Sequence, residues 1–150
     1  MTEYDKIASE HAWRYFELHA QQRINVFNFY IAITGLLSAG IGFSLQQDGK
    51  YIFLCSIMGF IMIFISFIFW KLDHRVSMLI KNSELALQSI ESKFKNQAYC
   101  ILTTDKNDES LNSSIFSNWS YGKCFRVAFI FVGNIGLAFT IIPIIISLTK

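Results

Sequence analysis

Arg14 and His19, in the run Arg14-Tyr-Phe-Glu-Leu-His19, come nearest of any residues in the chain to a chemical constellation. A histidine gives or takes a proton near neutral pH, and an arginine supports the charge of a phosphate in its transition state, so the pair would suit phosphoryl-transfer chemistry. The spacing argues against it. Five residues turn about 140° around a helix, which sends the two side chains to different faces. The plainer reading is a helix in which Arg14 pairs with Glu10 or Glu17 while His11 and His19 sit at an interface. His74, within Lys71-Leu-Asp-His-Arg75, reads as solvated rather than ligating. Cys55, Cys100 and Cys124 form an odd set without metal-ligand spacing and are expected to be reduced. With no phosphate loop, nucleophile elbow or zinc pattern, the sequence predicts a non-enzymatic protein with no catalytic residue, no metal and no cofactor.

The elements that carry these residues are helices, and three of them are expected to lie in lipid. Of the 150 residues, 53% are hydrophobic and only 16% charged, against the roughly 25% charged residues of soluble domains. The charges are segregated: no Asp, Glu, Lys, Arg or His lies from Ile24 to Gln47, Tyr51 to Trp70, or Val127 to Thr149. A helix needs about 20 residues to cross a hydrocarbon core of about 30 Å. Spans over about 25–46, 51–70 and 127–148 follow, in one membrane domain over 1–150. Strands would alternate polar and apolar residues, and these runs do not. The polar, mixed-charge stretch from Met1 to Arg23 does not read as a signal peptide.

Lys and Arg set the orientation. Lys6, Arg14 and Arg23 precede the first span, Lys50 alone separates the first two, eight lie between the second and third, and Lys150 alone follows the third. The N-terminus and the long connection over about 71–125 are therefore expected in the cytoplasm and the C-terminus outside, with a tight turn around Asp48 and Gly49. A net charge of +2, with its basic residues dispersed among acids, points away from direct nucleic-acid binding. Leu72, Val76, Leu79, Ser83, Ala86, Ile90 and Phe94 repeat at steps of three and four, predicting that the second span continues as an amphipathic cytoplasmic helix. That seam is an interface for a second copy or a partner, or docks on Ala8–Arg23, where Trp13, Phe16 and Ala20 share a side. From Gln97 to Ser120 periodicity is lost, and the stretch reads as a loop.

Inside the spans the informative residues are small or uncharged. Asn28, Ala32, Gly35, Ala39 and Gly42 recur at steps of four and three, with Ser38 beside them; the third span carries Gly133, Asn134, Gly136, Thr140 and Pro143. Small side chains on one face let another backbone approach closely. These faces are either packing seams, within one protomer or between protomers, or the lining of an aqueous path. The spans hold no titratable carrier group, which argues against an ion-coupled transporter. Three helices do not enclose a channel, so a path would form between subunits.

The stretches WRYFELHAQQRINVFNFYIAITGLLSAG and FWKLDHRVSMLIKNSELALQSIE, covering roughly residues 11–45 and 68–92, resemble a widespread group of small bacterial membrane proteins. More loosely, the layout is similar to the RipA family of octameric inner-membrane proteins, to small membrane effectors beside phage-defence genes, and to a ring-forming membrane accessory protein of some RNA-targeting CRISPR systems. The resemblance implies a homo-oligomer in the bacterial inner membrane that depolarises it when a partner signals infection. Expected partners are the bilayer, further copies of the chain, and a cytoplasmic protein or phage-derived trigger. The leading reading is thus a homo-oligomeric pore, all-α, with a defence role. A non-conducting scaffold that binds a cytoplasmic partner is its rival. The Arg14 and His19 spacing is similar to that of HEPN-type ribonucleases and leaves a membrane-anchored nuclease as the third reading.

Overall fold

A computed structural model describes residues 2–46, 50–94, 96, 99–111 and 119–148, all helical or linking helices. Four helices follow in order: α1 (Glu3–Leu45), α2 (Ile52–Glu91), α3 (Ile101–Leu111) and α4 (Tyr121–Leu148). α1, α2 and α4 are each long and apolar enough to cross a membrane. The turn expected around Asp48 and Gly49 lies outside the described residues, as do Thr149 and Lys150.

α1 starts at a reciprocal cap. The Thr2 hydroxyl accepts the Asp5 amide hydrogen at 3.2 Å, and the Asp5 carboxylate accepts the Thr2 amide at 3.0 Å and its hydroxyl at 2.9 Å. α2 runs without a break from its apolar half through Trp70 to Glu91, as the repeat of apolar residues predicts. It closes in a tightened turn, with the amides of Lys93 and Phe94 bonded three residues back to Ile90 and Glu91. The loop expected over Gln97–Ser120 is corrected in part: 11 of its residues form α3. The remainder of that stretch at 97–98 and 112–118 lies outside the described residues.

The chain gathers into two compact units. Unit 1 comprises residues 1–23 and 74–120, and unit 2 comprises 24–73 and 121–150.

Unit 2 is a three-helix bundle with two packed clusters. Tyr30, Phe125 and Phe129 form one, flanked by Phe27, Ile65, Phe69 and Val132; Ile41, Cys55 and Met62 form the other, flanked by Leu37, Met58, Val132, Ile135 and Phe139. The contacts fix direction and level. Phe27 stacks on Phe125 and Tyr30 meets Phe129 edge-on, so α1 and α4 run parallel. Tyr30 bonds Ser66 and Gly40 lies on Met58, so α1 and α2 run antiparallel. Around this interior, Phe29, Leu36, Phe53, Phe60, Phe64, Ile130 and Phe131 are exposed, an apolar surface far larger than the isolated patches of a water-soluble monomer.

In unit 1 the buried face of α2 is Val76, Ile80, Ser83, Leu87 and Glu91, with Ala12 buried on α1. The helix is turned by about one residue from the seam the sequence marks. Val76 and Ser83 belong to both; Leu79 and Ile90 are half-buried, and Phe94, like Leu72 at the end of unit 2, is exposed. The apolar stripe is broad, and Ile80 and Leu87 offer more surface to bury than Ala86 does.

Candidate functional site

In unit 2, α2 and α4 meet backbone against backbone. A side chain on Gly59 would meet the Gly136 carbonyl oxygen at 2.7 Å and the Thr140 amide nitrogen at 2.8 Å, and one on Gly136 would meet the Gly59 carbonyl oxygen at 2.9 Å. Only glycine permits such an approach at either position. Polar groups bridge the same crossing. The Ser56 hydroxyl donates to the Thr140 carbonyl at 3.2 Å, while Thr140 donates back along its own helix to the Gly136 carbonyl at 2.8 Å. Pro143 sits inside α4 and has no amide hydrogen, which frees the Phe139 carbonyl four residues earlier. The Cys55 thiol points at that carbonyl from 3.9 Å. Further along α2, Ser66 and Tyr30 share a buried hydrogen bond of 3.0 Å.

The small-residue face of α1 is placed differently. Asn28, Ala32, Gly35, Ser38 and Ala39 are exposed, Gly42 is half-buried, and nothing lies within 4 Å of a side chain built on Gly35 or Gly42. The face that α1 turns inward is Tyr30, Thr34, Ile41 and Ser44. Within the single chain, then, Gly136 and Thr140 form a packing seam and the α1 stripe is uncovered. Asn134 is exposed on α4, where its amide donates to the Ile130 carbonyl at 2.8 Å. Gly133, Asn134, Ser66, Phe67, Trp70 and Leu137 are among the residues lining a groove of about 300 Å³ between α2 and α4.

Unit 1 holds Arg14 and His19. His19 is turned to Gln22, with Nδ1 3.0 Å from Oε1, and meets the Tyr15 ring edge-on at 4.3 Å. Arg14 is exposed, and among the described residues no ion pair joins it to Glu10 or Glu17, contrary to the simple helix-pair expectation. Of the other possible ligands, Cys55 is buried, Cys100 half-buried and Cys124 exposed, all three free thiols. No three His, Cys, Asp or Glu side chains come together among the described residues.

The main polar constellation of unit 1 is centred on Glu91. Its carboxylate accepts the Leu102 and Thr103 amides, each at 3.0 Å, and the Thr103 hydroxyl at 2.8 Å. A carboxylate at a helix N-terminus satisfies donors that have no partner within the helix and interacts favourably with the helix dipole. Burial pushes the Glu91 carboxyl up, but these hydrogen bonds outweigh it and hold the group below the ordinary glutamate range. Asp5 is likewise held well below the ordinary aspartate range, first by its bond to Lys93 and then by the Thr2 cap.

Sequence reasoning missed Gly59, the Tyr30–Ser66 pair, the Cys55–Phe139 contact and the Glu91 clamp. Two of these carried a signal: Ser56, Gly59, Ile63 and Ser66 repeat at the same three and four steps as Gly133, Gly136 and Thr140, and Pro143 announced a freed carbonyl.

The fold and its apolar exterior define a small all-helical protein with three helices of membrane-crossing length. Over 142 residues the chain is 58% identical to CD-NTase-associated protein 19 of Escherichia coli, covering 95% of this chain and 94% of the relative. The chain belongs to the CD-NTase-associated protein 19 family. No profile of a described protein family matches, and no solved structure does; the looser likeness to the RipA family gains no support.

Proposed function

We propose that the protein is the membrane-permeabilising member of an anti-phage defence system, inserted in the bacterial inner membrane by α1, α2 and α4 with its N-terminus in the cytoplasm. The carrying observation is the joint occurrence of three membrane-length helices with an apolar exterior and membership of a family whose E. coli relative is named for its association with a CD-NTase. In this reading unit 2 is the lipid-embedded bundle. Unit 1 is the cytoplasmic part that receives the signal generated by a CD-NTase, and copies of the chain assemble so that ions cross between them. The spans carry no charge, so the bundle can rearrange without moving an ion pair through hydrocarbon. No reacting side chain is required.

Co-expression with its own CD-NTase, followed by phage challenge and a voltage-sensitive dye, tests the proposal. Infected cells should depolarise before lysis only when both proteins are present. Protection from phage with an unchanged membrane potential would defeat it. Fusions report the topology: alkaline phosphatase should be active at the C-terminus and inactive at the N-terminus.

A scaffold that binds a cytoplasmic protein without conducting is the second reading. Ile7, Trp13, Leu18, Met78 and Leu85 are exposed on unit 1 and favour it. Phage protection that survives without depolarisation, together with loss of protection in Trp13→Ala, would select that reading.

A further inference from the structure

The groove between α2 and α4 and the uncovered face of α1 match in level, length and polarity. Tyr30 pairs with Ser66 and Phe69 on α2 and with Phe129 on α4, and Phe27 with Phe125, so the heights of all three helices are tied together. Continuing those pairings along parallel α4 puts Asn134 level with Gly35 and Leu36, and Leu137 level with Ser38 and Ala39. Continuing them along antiparallel α2 puts Trp70 at the height of Asn28. The groove therefore spans the same heights as the stripe Asn28, Ala32, Gly35 and Ala39. No α1 residue lines it, because α1 packs against the other side of the α2 and α4 pair, and the two surfaces face away from each other.

Their chemistry also corresponds. The stripe is shallow, with open space over Gly35, and the groove is a concavity of about 300 Å³ walled by Phe67, Ile130 and Leu137. Asn134 keeps its amide oxygen and one amide hydrogen after bonding Ile130, and no hydrogen bond of Asn28 is found among the described residues. Acyl chains satisfy neither amide. A neighbouring copy at the same depth does: Trp70 offers an indole donor at the height of Asn28, and Ser38, whose hydroxyl donates to the Thr34 carbonyl at 2.8 Å, offers an oxygen that can accept the remaining Asn134 amide hydrogen within one turn of its height.

The geometry points to a head-to-tail interface in which α1 of a second copy seats its Asn28, Ala32, Gly35 and Ala39 face in the α2 and α4 groove. Two different surfaces meet, so the contact repeats from copy to copy and builds a ring or a chain rather than a closed pair. This rests on the membrane reading above for the shared depth of the copies.

Disulfide trapping in native membranes tests it, with Cys100 and Cys124 replaced by serine. A chain carrying Ala39→Cys and one carrying Leu137→Cys, with tags of different size, should yield an oxidised heterodimer when co-expressed. Neither should cross-link alone, and both substitutions in one chain should yield a ladder. Adding Gly35→Leu, which meets nothing inside the protomer, should cut the heterodimer at least tenfold while the protease-resistant bundle persists. Dimerisation of Ala39→Cys alone, no heterodimer in protein that resists carbonate extraction, or a ladder unaffected by Gly35→Leu would each overturn the interface. Release by carbonate would instead defeat the membrane reading, with the heterodimer assay still deciding the interface.

Discussion

Gly59 and Gly136 on one side of unit 2, and Gly35 and Gly42 on the other, look alike in sequence and sit in opposite surroundings. The first pair meets backbone at 2.7 and 2.9 Å where a side chain would begin, whereas the second meets nothing within 4 Å. Small residues at helical spacing thus mark two things in one bundle: a crossing that the fold of the protomer requires, and a face that it leaves uncovered. The first concerns stability, and the second concerns what else the protein touches.

Substitution at each glycine sharpens the contrast. Gly136→Leu should have the largest effect on the protomer, because its side chain would displace the α2 backbone, at about 3 kcal/mol or more. Loss of the protease-resistant bundle in detergent is the expected reading, and a bundle that melts normally would show that α2 and α4 are not held at this crossing.

Glu91→Gln comes next, in unit 1. It removes the charge that binds two amides and a hydroxyl at the start of α3, interactions worth roughly 1.5–3 kcal/mol when ionised. Amide exchange in α3 should quicken by about tenfold or more, with unit 2 unaffected. The same loss of protection, taken against intrinsic exchange at each pH, should be reached by acid in the unaltered chain. Because the folded state depresses the Glu91 carboxyl, its contribution is complete above the ordinary glutamate value of about 4.3 and is lost as pH falls through the lower folded value. Protection of the α3 amides, taken against their intrinsic exchange at each pH, that is flat from neutrality down to the acid limit of folding would remove the clamp from the account.

Smaller again is Tyr30→Phe, which deletes the 3.0 Å bond to Ser66 and keeps the ring contacts with Phe69 and Phe129. A loss of about 0.6 kcal/mol is expected for a hydrogen bond between helices in lipid, read as a small drop in melting temperature. A loss several times larger would mean that this bond positions the aromatic cluster. Gly35→Leu should change protomer stability least, by no more than about 0.5 kcal/mol.

The difference between the two glycine pairs also explains what was legible in the sequence. Absence of charge is a property of a run, so the apolar halves of α1, α2 and α4 could be read directly, as could the continuation of α2 beyond Trp70. Which face of a helix is covered is a property of its neighbours. The stripe from Asn28 to Gly42 is as regular as the one from Ser56 to Ser66, and only the position of α4 separates them. In unit 1 the apolar stripe of α2 is wide enough for two registers, and packing selected Ile80 and Leu87. α3 was illegible for a related reason: Thr103, Thr104, Asp105 and Asn107 are turn-forming types, and the carboxylate that starts the helix comes from Glu91, 12 residues before Thr103. The neighbours of His19 were hidden in the same way, since the Arg14 and His19 spacing does not announce that Gln22 and the Tyr15 ring lie against the imidazole.

The most direct measurement of the central claim is the membrane potential of phage-infected cells carrying the protein and the CD-NTase proposed to signal to it, recorded alongside total RNA. Depolarisation should persist in Arg14→Ala and His19→Ala, vanish in Gly35→Leu, and leave RNA intact at its onset. A steady potential with fragmented RNA, and protection abolished by Arg14→Ala and His19→Ala while Gly35→Leu remains protective, would contradict the account and make the protein a membrane-anchored nuclease.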